Sequence, residues 1–151
     1  MDIHALLEAS SLEMVSFLEL SAKRADEQAS HDELFKEESY DIEPEFALEF
    51  AKDLERGRFR VRVKTMIQAE PGSIVVDAAA EYAVEGLDIA LVSEDLLLEF
   101  TNKVAIFAII PYLRQGVADM TQRVFGTPLT MPMYRRGELE FSKKPPADGQ
   151  E

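Results

Sequence analysis

Between Phe46 and Val84, apolar side chains recur at every second position in three successive runs. Phe46, Leu48 and Phe50 are separated by Ala47 and Glu49. Phe59, Val61, Val63, Thr65 and Ile67 alternate with Arg58, Arg60, Arg62 and Lys64. Ile74, Val76, Ala78, Ala80, Tyr82 and Val84 alternate with a row that includes Asp77, Glu81 and Glu85. The turn residues Glu55-Arg56-Gly57 and Pro71-Gly72 separate the runs. Period two interrupted by turns predicts an antiparallel meander with one buried and one wet face. The wet face has its own order, because the basic row falls between Glu45, Glu49 and Asp53 on one side and Asp77, Glu81 and Glu85 on the other. Opposite charges on facing strands contribute ~0.2–1 kcal/mol each. That reads the basic row as cross-strand pairing rather than as a nucleic-acid patch.

The segment Leu12–Lys23 predicts a further strand, with Met14, Val15, Phe17, Leu18 and Leu20 placing apolar groups on both faces. First in the order of strands, it is expected at a sheet edge, where a two-faced strand needs cover from another subunit. Beyond residue 92 the period lengthens. Ser93 is a helix cap, and Glu94 and Asp95 suit the positive end of a helix dipole. Leu96, Leu97, Phe100 and Val104 keep helical spacing, which Phe107, Ile110, Leu113, Val117, Met120 and Val124 continue until Gly126. Pro111 has no amide hydrogen and crowds the preceding turn. A short helix, a break near Asn102 to Pro111 and a longer helix are therefore expected. The stretch Val104–Leu113 is apolar nearly all round, more than one sheet needs, and implies a second contact with another subunit.

The reading is a single domain over residues 1–141, with an acidic loop or short irregular helix at 25–43 and a flexible tail over 142–151 containing Lys143-Lys144-Pro145-Pro146. Length and balance support one ordered core: 151 residues, 46% apolar and 30% charged. Charge narrows the partners. With 29 acids against 16 bases and a net charge of -13, the surface repels nucleic acid and anionic membranes. The absence of cysteine excludes disulfides, thiolate metal sites and thiol nucleophiles. Met1-Asp2-Ile3-His4 does not open a signal peptide, and the longest apolar run has ten residues, so a cytoplasmic location is expected. His4 and His31 stand apart in polar segments, and neither a phosphate-binding glycine motif nor a nucleophile elbow occurs. Neither a catalytic residue nor a cofactor or metal ligand is therefore assigned. An alternative is a small α+β enzyme or ligand-binding domain in which Asp119, Tyr112 and Tyr82 act as acids or bases.

The string Ile110-Pro111-Tyr112-Leu113-Arg114 resembles the proline–tyrosine–x–arginine segment of the long helix in the SecB export-chaperone family. Arg123 lies nine residues after Arg114, with Met120 three before it, as in the family's helix. Thr127-Pro128-Leu129-Thr130-Met131-Pro132 is similar to the family's proline-bracketed exit loop, and Pro44-Glu45-Phe46-Ala47-Leu48-Glu49-Phe50 to its second strand. The tail departs from the longer C-terminal helix of the export chaperones. The resemblance spans roughly residues 12–135. It implies an α+β subunit, with a four-stranded antiparallel sheet carrying a short and a long helix on one face. It further implies a tetramer built as a dimer of dimers, and ATP-independent holding of unfolded or precursor polypeptides. SecA is the family's export partner, and one branch serves the antitoxins of toxin–antitoxin systems. Position-matching makes Phe46, Leu48 and Phe50 client-binding residues, although alternation alone reads them equally well as core. It makes Phe107, Ile110, Pro111, Tyr112, Arg114, Met120 and Arg123 the helix motif and oligomer contact.

Overall fold

A computed structural model describes residues 1–25, 44–132, 134 and 138–142. The expected loop at 25–43 and the tail beyond Ser142 lie almost wholly outside these. Four strands, β1 (Ser10–Arg24), β2 (Glu45–Asp53), β3 (Arg58–Ala69) and β4 (Gly72–Val84), form one antiparallel sheet in the order β1-β4-β3-β2. The meander holds as read. Phe59, Val61, Val63, Thr65 and Ile67 of β3 are all buried, whereas the intervening basic residues stay half-buried on the other face.

On that outer face the register sets Arg60 opposite Glu81, Lys64 opposite Asp77 and Arg62 opposite Glu49. Arg62 reaches both ways, Nη1 to Glu49 Oε1 at 3.0 Å and Nη2 to Asp77 Oδ2 at 2.7 Å. The Asp77 side chain is only 1% exposed, so its charge depends on that guanidinium. Hydrogen bonding to Asp77, then its charge, raises the Arg62 pKa above the usual arginine value.

β1 does take an edge, but beside β4 and not beside β2. Two bulges decide how its apolar residues divide between the faces. Register shifts between Leu12 and Met14 and between Phe17 and Glu19 leave Glu13 and Leu18 without a partner. Each bulge resets the alternation by one residue. Leu12, Val15, Phe17, Leu20 and Ala22 consequently fall opposite Tyr82, Ala80, Ala78, Val76 and Ile74, the inner row of β4.

Before β1 stands a helix the sequence reading did not assign, α1 (Ile3–Ala9), capped by the Asp2 carboxylate, which accepts from Ala5 N at 2.9 Å. Leu6 anchors it in the core.

The C-terminal half corrects the expected break. Helix α2 (Glu94–Phe100), capped by Ser93, runs through a π turn at Thr101–Ala105 into α3 (Ile106–Phe125) without leaving helical geometry. Pro111 lies inside α3. The irregularity is thus a wider turn upstream of the proline, with Ile106 N–H reaching Thr101 O five residues back.

By length and apolarity alone, the 32-residue run Glu94–Phe125 could cross a membrane. The ten-residue apolar run understated it. Leu97, Phe100, Ile106, Ile109, Leu113 and Val117 nevertheless seal the sheet's inner face, which makes the run a core helix.

Helix α3 packs on β4 and β1. Gly116 allows the close approach: a Cβ there would lie 2.8 Å from Val76 Cγ1 and 2.9 Å from Leu20 Cδ2. Thr121 then fixes the exit. Its hydroxyl donates to Val117 O at 2.7 Å and accepts from Leu129 N at 2.8 Å. Leu129 and Met131 are buried while Thr130 and Pro132 stay exposed, so the expected alternating exit loop is present.

Candidate functional site

Because α3 sits over the β1–β4 half of the sheet, the inner row of β2 at the opposite edge is not sealed in the same way. Phe46, Leu48 and Phe50 each point to the inner face and remain half-buried. Leu48 and Phe50 line a groove of about 380 Å³ with Leu98, Glu94 and Asp95 of α2 and with Phe141 and Ser142. Phe46 meets Tyr134 and Phe141 edge-on, with ring centroids at 6.2 and 6.3 Å. Burial raises the Tyr134 pKa above the usual phenol value. Lys52, next in the β2 row, donates to Val92 O and ties the strand edge to the start of α2. The floor is therefore apolar, and the rim at Glu94 is acidic and exposed.

A second, smaller apolar cavity of about 170 Å³ continues along α3 between Ile106, Phe107, Ile110, Pro111, Tyr134 and Leu139. The chain's own C-terminal stretch lines both cavities, with Leu139 in one and Phe141 in the other. Asn102, in the π turn, holds it by two hydrogen bonds to the backbone of Phe141, at 2.8 and 2.9 Å.

The helix-motif residues divide. Phe107 and Ile110 with Pro111 line the small cavity. Tyr112 points the other way and packs edge-on against Phe17 of β1, ring centroids 6.0 Å apart. Both rings are more than a third exposed, and Leu12, Met14, Leu18 and Leu20 on the same strand are exposed as well. Arg114 and Met120 are half-buried on α3, and Arg123 is an exposed residue paired with Asp119 at 3.2 Å. These residues thus serve two surfaces.

The residues of the enzyme alternative have other occupations. Tyr82 lies in the core, stacked on Phe59 and edge-on to Phe100, and desolvation pushes its pKa up to about 12. Asp119 is at the surface with Arg123, and Tyr112 is on the β1 side. Among the described residues, no group of three or more His, Asp or Glu side chains is placed to hold a metal.

Sequence reasoning missed Leu98, Asn102, Tyr134, Leu139 and Phe141. The alternation Leu139-Glu140-Phe141 was a usable signal for a docked extended segment. Asn102 had none.

The architecture is an antiparallel sheet with a long helix over one half, apolar surface at both edges and the chain's own C-terminal segment against one of them. The comparisons make this specific. The sequence is 24% identical over 142 residues to the SecB-like chaperone SmegB of Mycolicibacterium smegmatis, covering 94% of this chain and 87% of SmegB. The structure is similar to that of the Mycobacterium tuberculosis SecB-like chaperone Rv1957 in complex with a ChAD peptide from the HigA1 antitoxin. The TM-score is 0.70 at 20% identity, covering 89% of this chain and 97% of the other. No protein-family model matches the sequence. The chain is thus similar in sequence to a SecB-like chaperone, and its fold is the SecB-like fold.

Proposed function

We propose that this protein is an ATP-independent holdase that binds unfolded or precursor polypeptides in extended form along the β2–α2 groove. One observation carries the reading: the apolar groove lined by Leu48, Phe50 and Leu98 already holds a piece of polypeptide, the chain's own Phe141, which also meets Phe46 edge-on. Several modest apolar contacts along one client chain sum through effective concentration, so neither nucleotide nor metal is required. The net charge of -13 favours basic clients and keeps a loaded complex soluble. The working form is a cytoplasmic tetramer, a dimer of dimers, assembled through the exposed apolar surface of β1 and α3.

Two client classes fit. Precursors destined for export are one, with SecA as the receiving partner. The other is an antitoxin of a toxin–antitoxin system. The antitoxin peptide bound by the structurally similar mycobacterial chaperone favours this second class. The test is suppression of client aggregation in the absence of ATP, run in parallel with an antitoxin C-terminal peptide and an export precursor. Suppression of either sustains the holdase, and the relative affinities assign the client class. Failure with both removes the proposal.

A further inference from the structure

The contact made by Asn102 is of an unusual kind for a side chain. Its Oδ1 accepts the Phe141 amide hydrogen at 2.8 Å, while its Nδ2 donates to the Phe141 carbonyl at 2.9 Å. Both main-chain groups of a single residue are satisfied by a single carboxamide. That is the exchange made by a hydrogen-bonded residue pair in an antiparallel ladder. It holds backbone and ignores the identity of the side chain it carries.

The side chains are read on either side of the clamp. Leu139 enters the small cavity with Phe107, Ile110 and Pro111, and Phe141 enters the groove with Leu48, Phe50 and Leu98. Leu139, at a bend, and Phe141, two residues on, occupy these two cavities, so together they measure one apolar–x–apolar unit. Asn102 belongs to a π turn, a local insertion that changes the angular phase between α2 and α3 and recurs at functional sites.

We propose that Asn102 is the main-chain clamp of the client groove, and that Leu139-Glu140-Phe141 is an internal placeholder which an apolar–x–apolar segment of an extended client replaces. The inference rests on the holdase reading and adds to it the recognition unit and the residue that captures it. An occupied groove lowers apparent client affinity by the fraction of molecules whose groove is open. The placeholder thereby keeps the apolar floor covered between clients.

The experiment uses the full-length chain and a fluorescent peptide carrying its residues 138–142. In Phe141→Ser the placeholder loses its larger anchor while Asn102 is untouched, and the peptide should bind about tenfold tighter than to the parent. Adding Asn102→Ala in that background should return the affinity to the parent level or below. Hydrogen exchange supplies an independent reading: the Phe141 amide should be protected in the free protein and exchange at least tenfold faster when a client saturates it.

An unchanged peptide affinity in Phe141→Ser overturns the placeholder. An unchanged affinity on adding Asn102→Ala, in variants that retain their melting temperature, overturns the clamp. A Phe141 amide that stays protected under saturating client overturns both, whatever the variants do to folding. Aggregation suppression by the parent chain separates these failures from failure of the holdase reading itself.

Discussion

Half-burial is what separates the β2 row from the rest of the core. Val61 and Val63 are 0% exposed, and truncating such residues costs roughly 2–5 kcal/mol. Leu48 and Phe50 have one side on the sheet and another on the groove, and Phe46 lies against Tyr134 and Phe141. Replacing Phe46 or Leu48 by Ser should cost less, about 1–2 kcal/mol, and should weaken client binding at constant folded fraction. Thermal melts and client titrations of the same variants check both. If the melting temperature falls as far as in a Val61→Ala control while affinity per folded molecule is unchanged, the row is core and the client assignment is wrong.

Alternation announced these residues but not their exposure, because exposure depends on where α3 is seated and on what the C-terminal segment covers. Tyr82 gives a second test at this scale. Its hydroxyl is buried and has no hydrogen-bond partner among the described residues. Tyr82→Phe removes that group without opening a cavity and should be neutral or mildly stabilising. The phenol's pKa is raised to about 12 from 10.0, so its contribution is fully present below pH 10. Between about pH 10 and 12 the unfolded chain loses its proton first, and stability falls as pH rises. Tyr82→Phe should flatten that part of the alkaline stability curve relative to the parent.

At the scale of elements, the meander was legible because turns and alternation agree over three strands. The places where the reading went astray are places where one residue is inserted or a cap is read late. Two bulges in β1 reset its phase, so that Leu12, Val15, Phe17 and Leu20 share the inward row while Met14 stands in the outer row opposite Glu81. A π turn, not a break, absorbs the irregularity before Pro111. Helix α1 is a single pair of turns behind an Asp cap, too short for periodicity to announce.

Gly116 illustrates how one position sets the relation between two elements. It lies mid-helix, where glycine is intrinsically unfavourable, and serves because α3 approaches Val76 and Leu20 so closely. Gly116→Ala gains helix propensity and must displace two packed side chains, so a net loss of about 1–3 kcal/mol is expected. A melting temperature equal to or above that of the parent would show that the β1–β4 face can absorb the methyl group. On the outer face, Arg62→Met strands the Asp77 carboxylate and should lower the melting temperature, whereas Arg56→Ala, a largely exposed pair with Asp53, should leave it unchanged. Replacing Arg62 and Asp77 together by apolar residues should recover most of the loss. No recovery would mean that the guanidinium matters for something other than that charge.

At the scale of the whole molecule, exposed apolar side chains concentrate along β1. Leu12, Met14, Phe17, Leu18 and Leu20 of β1 are exposed, and Phe17 adjoins the exposed Tyr112 of α3. The same strand presents the free edge of the sheet, with backbone groups open to pairing. Nothing within the described chain covers this surface, whereas the groove at the other edge has the C-terminal segment. The proposed function accordingly gives the two edges separable roles: assembly on β1 and α3, client capture on β2 and α2. Separability is testable. Leu18 is a bulge residue with no partner opposite it, and its side chain is 43% exposed, so Leu18→Glu should leave the fold intact. Combined with Tyr112→Glu, it places charge where a second copy would bury apolar surface. Light scattering at micromolar concentration should show the parent as a tetramer and the double variant as a smaller species with an unchanged circular dichroism spectrum. The dissociated form should still bind a short client peptide, because Phe46, Leu48, Phe50 and Asn102 are all supplied by one chain. It should bind a long unfolded client more weakly, because the number of linked grooves has fallen. A double variant that stays tetrameric would place the interface elsewhere, and one that loses the short peptide as well would show that the groove is completed by a neighbouring subunit.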